Sequence, residues 1–484
     1  MQNVSCPSCG APVSFRSHAS VMAVCEFCRA CVLKEAGAVR DLGKMSEVLE
    51  DYSPIQVGTS GEHGGRSFTV VGRIQLRYEA GMWNEWYVLY DDGAGGWLSD
   101  ASSQYVLTAE QELKDDYPAF DAMRPGGQYR FGLGPQTLAD RRMATCTGGQ
   151  GELPFRVGPG WQARVADFRR EGQFATLDYS DGDKPLLYSG FAVTLPGLKA
   201  QLLRDDEQIK ASAGRYRGRV ESLLCPSCGT AIGYQPGMAT TLVCPACHTR
   251  LDASTPQVQV LAKGEEASRV QLTIPLGATA RINGQELRVS GVMQRMDDEG
   301  STWFEYLLFD AKGGLLWLVE TDEGWQRSQV LDTWPTPANP VVEEVMLDKL
   351  PYRKLYGYEA TVLYAAGAFN WRVAAGDKAQ VVEYERGATR LSAELTADEL
   401  TWSRSTPVAD DQVRTWFGKQ MAAPVKRHAA EQMDGGGGSA AKFTMWLIAL
   451  NLVPLLFNFG TVLFFTIIGL VLLWLPLMLT SKET

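Results

Sequence analysis

Eight of the ten cysteines fall into four Cys-x2-Cys pairs: Cys6 with Cys9, Cys25 with Cys28, Cys225 with Cys228, and Cys244 with Cys247. In each half of the chain 15 residues separate one pair from the next. A pair of this kind presents two thiolates about one tight turn apart, and two pairs complete a tetrahedral S4 shell around Zn2+. Four thiolates leave no open coordination position, so the two expected zinc sites read as structural and not catalytic. A redox dithiol is the competing reading of any single Cys-x2-Cys, but paired knuckles repeated at one spacing argue against it. The expected ligands are thus Cys6, Cys9, Cys25 and Cys28 for one ion, and Cys225, Cys228, Cys244 and Cys247 for the other.

Other reactive side chains give no such constellation. Cys31 is a fifth thiol beside the first quartet and aligns with Arg250 of the second half, whereas His248 follows the last ligand of the second and aligns with Arg29. Neither is matched in the other half, so both read as bystanders. Cys146 aligns with Val362 and reads as a small apolar core residue. Only His63 of the four histidines lies in a β region, and its counterpart is Ile282. No G-x-S-x-G elbow, phosphate-binding G-x-x-x-x-G-K-[ST] loop or H-E-x-x-H occurs. Asp91 corresponds to Asp310 and Asp167 to Glu383, although an Asp before a Gly-rich turn is ordinarily a turn former. The expectation is a protein without catalysis. Clustered Asp and Glu in a concave pocket of both halves is the feature that would favour an enzyme instead.

The elements that position the cysteines come in duplicate. Residues 6–28 recur as residues 225–247 at an offset of 219, and the offset persists beyond the cysteines, taking Ile55 to Ile274, Gly58 to Gly277, Gly65 to Gly284 and Gly72 to Gly291. On that offset YVLYD, from Tyr87, falls on YLLFD, from Tyr306. The Gly-Gly-Trp-Leu run ending at Leu98 matches GGLLWL ending at Leu318 one residue later. At an offset of 216, ATCTGGQGELPFRV from Ala144 aligns with ATVLYAAGAFNWRV from Ala360. Runs such as FTVVGRIQLRY and WFEYLLFD, punctuated by Asn283-Gly284 or Asp91-Asp92-Gly93, predict short strands and hairpins. The matched Gly and Trp positions read as turn and core residues.

The expected fold class is mainly β: two tandem units, each a zinc ribbon plus a small β-barrel or sandwich, with connecting helices and a C-terminal transmembrane α-helical hairpin. The ribbons span 1–34 and 221–252, and the β domains 46–194 and 265–405. Helical connectors are expected at 195–220 and 409–433, the second interrupted by Pro424. A Gly-rich linker at 434–442 leads into residues 443–480, which hold no charged side chain. One helix of that length measures about 57 Å against a hydrocarbon core of about 30 Å. Asn458-Phe459-Gly460 lies near the middle, which favours two arms at 443–457 and 461–479, with a single span and an interfacial lead-in as the alternative. Lys426, Arg427 and Lys442 before the segment and Lys482 after it place the bulk of the chain in the cytoplasm, on the inner membrane, and Trp446 and Trp474 suit its interfaces.

A net charge of −10 and a pI near 5.2 lower the prospect of nucleic-acid binding, which relies on phosphate contacts. Around the first quartet the basic side chains are Arg16 and Arg29, and the second ribbon has none before Arg250. No charged segment and apolar run open the chain, so a reducing compartment is expected, where close cysteine pairs bind metal.

From Gly277 to Trp317 the skeleton ING-QELRVSG, WFEYLLFD and GGLLWL resembles the bacterial domain of unknown function 4178, and Gly58 to Trp97 has the same skeleton. The resemblance implies no established activity and so lends no catalytic residue. It implies company with Cys-x2-Cys ribbons and hydrophobic tails. Its typical gene neighbours, membrane-stress proteins similar to phage-shock protein A and polyamine-synthesis-like enzymes, imply by association a membrane accessory role. The function expected is a membrane-anchored zinc scaffold or adaptor for a protein partner, with nucleic-acid binding through the ribbons or an enzyme using carboxylates of the β domains as alternatives.

Overall fold

The computed structural model describes residues 2–422, except 17–18, 36–37, 46–47, 49, 52, 79–80, 102, 115–116, 159, 206, 210–222, 233–240, 253–258, 263–269 and 311–313; after 422 it describes Thr444 alone. Apart from Thr444, the expected membrane segment 443–480 and its linker lie outside the described residues. Among the described residues no helix is long and apolar enough to cross a membrane.

Each β domain closes into an eight-stranded antiparallel barrel. In the first, β1 (Arg66–Arg77), β2 (Met82–Tyr90), β3 (Gly95–Ala101) and β4 (Gln104–Gln111) form one meander. A second meander comprises β5 (Pro135–Leu153), β6 (Gln162–Arg170), β7 (Gln173–Asp178) and β8 (Leu186–Val193). Pairing β4 with β8 and β5 with β1 joins the two into a ring. The second barrel repeats this with β9 (Gln285–Met296), β10 (Thr302–Asp310), β11 (Gly314–Thr321), β12 (Gly324–Val330), β13 (Leu350–Phe369), β14 (Lys378–Arg386), β15 (Thr389–Leu395) and β16 (Leu400–Val408). Here β12 meets β16 and β13 meets β9.

Ring closure depends on a glycine pair in each barrel. Gly72 of β1 lies opposite Gly151 of β5, and Gly291 of β9 opposite Gly367 of β13. A Cβ on Gly72 would stand 1.8 Å from the Glu152 carbonyl oxygen, and one on Gly367 2.3 Å from that of Ser290. Gly151 and Gly367 also have φ of +67° and +96°, where a side chain is strained. The match of Gly72 to Gly291 is therefore the mark of a seam at which two backbones touch.

One register differs from the sequence alignment. Trp86, not Tyr87, occupies the place of Tyr306: Trp86 lies opposite Leu98 as Tyr306 lies opposite Leu318. The 220-residue offset thus begins already in β2 and β10. Because side chains alternate along a strand, that single slip exchanges inner and outer faces.

The stretch from 195 onward, expected as a helical connector, is not a helix up to residue 205. One turn forms where the Leu198 amide bonds Thr194 O at 2.9 Å, but Lys199 and Leu202 then take φ of +50° and +56° and end it. Tertiary demands outweigh propensity here. Leu198 is buried in the core outside β1 and β2, Gln201 bridges Ser60, and Arg204 Nε donates to Ser53 O at 2.9 Å. After the second barrel a helix does form, α1 (Asp410–Phe417), with Asp410 and Asp411 in its positive first turn. Val413 and Phe417, one turn apart, bury against the outer face of β9–β12; each contributes about 2 kcal/mol.

The two ribbon–barrel units belong to one compact body that ends at residue 423.

Candidate metal centre

Each cysteine pair sits on a tight knuckle whose shape follows from backbone bonds. In the first, the Gly10 amide donates to Cys6 O at 2.8 Å and the Cys6 amide to Ala11 O at 2.8 Å; Cys25, Cys225 and Cys244 repeat the pattern. The residue after the second cysteine must turn into left-handed φ, and Gly10, Arg29, Gly229 and His248 fill that place at +76°, +64°, +74° and +54°. The role of Arg29 and His248 is therefore conformational. The His248 ring packs edge-on against Tyr364, with centroids 5.3 Å apart.

The eight cysteines come together as two groups of four, Cys6, Cys9, Cys25 and Cys28, and Cys225, Cys228, Cys244 and Cys247, with the sulfurs of each group within 4.8 Å of one another. Cys6 Sγ lies 3.6 Å from Cys28 Sγ and Cys9 Sγ 3.7 Å from Cys25 Sγ; in the second group Cys225 to Cys247 and Cys228 to Cys244 give the same two values. A tetrahedron with metal–sulfur bonds near 2.3 Å has edges of roughly 3.8 Å. The donor set and its spacing thus fit one metal ion in each group. Thiolate character is already favoured within each group: the Ala30 amide and Cys9 hold Cys28 down at about 6, bonds at Thr249 bring Cys247 to about 6 against the upward push of burial, and Thr230 lowers Cys228. Cys31 and Cys146 stand apart from both groups, buried in the apolar cluster between the first ribbon and its barrel.

The ribbons are extensions of the barrels. The long strands β5 and β13 run past the glycine seam and pair with ribbon strands, Leu153 opposite Met22 and Phe369 opposite Thr241. Glu152, 3% exposed, accepts bonds from the Arg16 amide at 2.7 Å and Ser20 Oγ at 2.9 Å and pins the first ribbon further. Met22, Val24, Cys31 and Met45 then pack with Tyr87 and Trp97. Trp97 and its counterpart Trp317 each meet an aromatic from the turn after the long strand, Phe155 at 5.8 Å and Trp371 at 5.3 Å. The reading of these tryptophans as core residues agrees with that packing.

A second group of polar side chains lies inside the barrels. Following the pairing around the first ring, Glu85, Ser99, Thr176, Asp178, Asp167, Asp140 and Arg142 share one face with Ile74 and Tyr87. That face is the interior, because Glu85 on β2 feels Asp178 and Asp167 from the far side of the ring. Glu85 accepts from Trp83 Nε1 and Ser99 Oγ, each at 2.7 Å, and Asp167 from Thr176 Oγ1 at 2.6 Å. The second barrel matches it: Trp303 Nε1 donates to Glu305 at 2.7 Å, and Ser392 Oγ to Glu383 at 2.8 Å. Glu394, in the place of Asp178, binds Arg295 at 2.9 Å. Burial pushes Glu85, Asp140 and Glu383 up to about 7 and Asp167 to about 6, and raises Glu305. The Asp140 and Glu305 side chains each keep 14% exposure.

Sequence reading paired Asp167 with Glu383 but missed Glu85, Asp140, Arg142 and Glu305. The signal was the motif Trp-x-Glu at 83–85 and 303–305, hidden by the one-residue slip in the alignment.

No protein of curated function matches the chain. A family model described as a domain of unknown function, DUF4178, matches it twice, over residues 56–194 and 275–410, and each match covers one barrel. Each copy follows one cysteine quartet, and on that double match the chain belongs to the DUF4178 family.

Proposed function

We propose that this protein is a zinc-binding scaffold, held on the cytoplasmic face of a membrane by residues 443–480, whose paired barrels present surfaces to a protein partner. The observation that carries the zinc reading is the sulfur spacing of two closed four-cysteine groups, a geometry in which zinc serves the fold and not a reaction. The scaffold reading is supported by two ribbon–barrel units in one body, and the membrane reading by the uncharged run of residues 443–480. Affinity purification of the detergent-solubilised full chain tests both, with metal content and co-purifying proteins read on one sample. Two zinc ions per chain and one reproducible partner are expected. No reproducible partner would sink the scaffold reading.

A second reading has its own observation. Carboxyls that burial pushes upward at matched positions inside both barrels, Glu85 with Glu305 and Asp167 with Glu383, are what a binding or proton-transferring site uses. Under this reading the barrels hold a small ligand against Glu85 and Glu305. Binding lost in both Glu85→Gln and Glu305→Gln, with metal content unchanged, would favour it over the scaffold.

A further inference from the structure

The two repeats touch at two places. At the first, the β5 bulge between Leu138 and Asp140 puts Ala139 into the apolar core of the second barrel, beside Trp334 and Trp402. Asp140 bridges Glu399 through the backbone there, and Arg142 Nη2 donates to Glu399 Oε2 at 2.8 Å. At the second place, the tip of the β1–β2 hairpin meets the second cysteine ribbon and the turn beside it. The guanidinium of Arg77, the last residue of β1, binds the Asp252 carboxylate of that ribbon. Across the tip, Gly81 forms a backbone bridge to Trp371, and a Cβ on it would stand 3.0 Å from Asn370 O. Tyr78 joins the two places, because the Arg142 guanidinium lies over its ring at 4.4 Å.

A short path ties Asp252 to the cysteines. The Cys244 amide donates to Thr249 O at 3.0 Å, closing the knuckle from which the strand Arg250–Asp252 follows directly. That strand pairs with Thr241–Val243, which ends one residue before Cys244, and Asp252 lies opposite Thr241. Thr241 also lies opposite Phe369, whose ring meets that of Trp371 at 5.2 Å. Both contacts of the hairpin tip, Asp252 and Trp371, therefore rest on the ribbon strands that carry the ligands. Metal-binding energy at such a site is folding energy, so the ion holds those strands in place.

The first ribbon is built without this tie. At the 219-residue offset Leu33 takes the place of Asp252 and Met296 that of Arg77, and neither carries a charge. Leu33 is 0% exposed, whereas Asp252, at 8%, is a carboxylate in a poorly solvated place. Taking a cation away from such a carboxylate is costly.

We infer that the second metal site is a clasp between the repeats, an inference that rests on the zinc reading of both quartets and makes the two ions unequal. Zinc at Cys225, Cys228, Cys244 and Cys247 and the docked β1–β2 hairpin strengthen each other, because coupling between two binding events is reciprocal. Zinc at Cys6, Cys9, Cys25 and Cys28 serves its own unit. Loss of the second ion frees the hairpin tip of the first barrel, and loss of the hairpin contact weakens the hold on the second ion.

The test uses the full chain in detergent, loaded with Zn2+, in two backgrounds that each keep one ion. Cys25→Ser keeps the second site and Cys244→Ser the first. Zinc affinity of the remaining site is read by competition with a chromophoric chelator, with and without Arg77→Met. In the Cys25→Ser background Arg77→Met should weaken zinc binding roughly fivefold or more, the low end of such couplings. In the Cys244→Ser background it should change nothing. The reversed pair, Arg77→Asp with Asp252→Arg, should return affinity towards the parent value, which separates the ion pair from a general loss of fold. Conversely, hydrogen exchange over residues 77–82 should rise in Cys244→Ser and stay unchanged in Cys25→Ser. Equal weakening of both sites, none at the second, or an unchanged hairpin in Cys244→Ser would overturn the inference. A parent chain that binds no zinc would remove the zinc reading itself, and the clasp with it.

Discussion

The two barrels agree where backbone must meet backbone and differ where they meet each other. Both have the glycine seam, the cysteine quartet bolted to the far end of the long strand, and a tryptophan donating to an interior glutamate. Where the first repeat has Asp140 and Arg142 the second has Tyr356 and Tyr358. The acid and base of the first pair reach the second barrel; the second pair stack on each other, 5.6 Å apart, at an open edge. Closure and metal binding are thus demands of the single unit. The contents of that edge are set by what covers it. Breaking each feature in one repeat at a time tests that division.

The largest effect should come from the metal. Cys25→Ser or Cys244→Ser is expected to lower bound zinc from two to one per chain and to unfold the ribbon concerned, since binding energy at such sites, on the order of 10 kcal/mol, is folding energy. Hydrogen exchange should rise in Met22–Val24 and the end of β5 for the first variant, and in Thr241–Val243 and the end of β13 for the second. Protection lost in both ribbons from either variant would contradict the independence of the units. Next in size is the seam. Gly151→Ala and Gly367→Ala should each cost about 2–4 kcal/mol, from a left-handed φ and a carbonyl within 2.3 Å, read as a fall in the denaturant midpoint. If only one of them destabilises, the two closures are not equivalent.

Much of this was legible in the residues. Cysteine spacing located both quartets because knuckle geometry is local, and the 219-residue echo found Gly72 and Gly291, although only the backbone contact explains them. The interior carboxylates were illegible for a different reason. Whether Glu85 points in or out depends on a single residue of register, and the alignment placed that slip one strand too late. The 195–205 stretch misled because its helical composition says nothing of the pull on Leu198 and Arg204 from an outer core formed by distant strands.

The interior glutamates give a pH signature of about 1–3 kcal/mol. A Glu titrates near 4.3 when unfolded, and burial raises Glu85 to about 7, so the native state takes up the proton first. Its stabilising contribution is full below pH ~4 and is lost as pH rises through ~7. Glu85→Gln keeps an acceptor for Trp83 and Ser99 without the charge. It should match the parent near pH 5 and exceed it at pH 8; a parent-minus-variant difference that stays flat between them would refute a buried, titrating Glu85.

The smallest effect isolates the contact between repeats. Arg142 is 21% and Glu399 44% exposed, so screening holds their coupling to about 1 kcal/mol although the ion pair measures 2.8 Å. Arg142 also faces Asp140 at 3.0 Å, so its removal should cost more than that of Glu399, by leaving Asp140 without its cation. A double-mutant cycle with Arg142→Met and Glu399→Gln separates the two contributions. A coupling near 1 kcal/mol, with the Arg142→Met penalty growing from pH 5 to pH 8 as Asp140 ionises, is expected. Zero coupling would mean that the Ala139 bulge and the backbone bridge hold the repeats together without the ion pair.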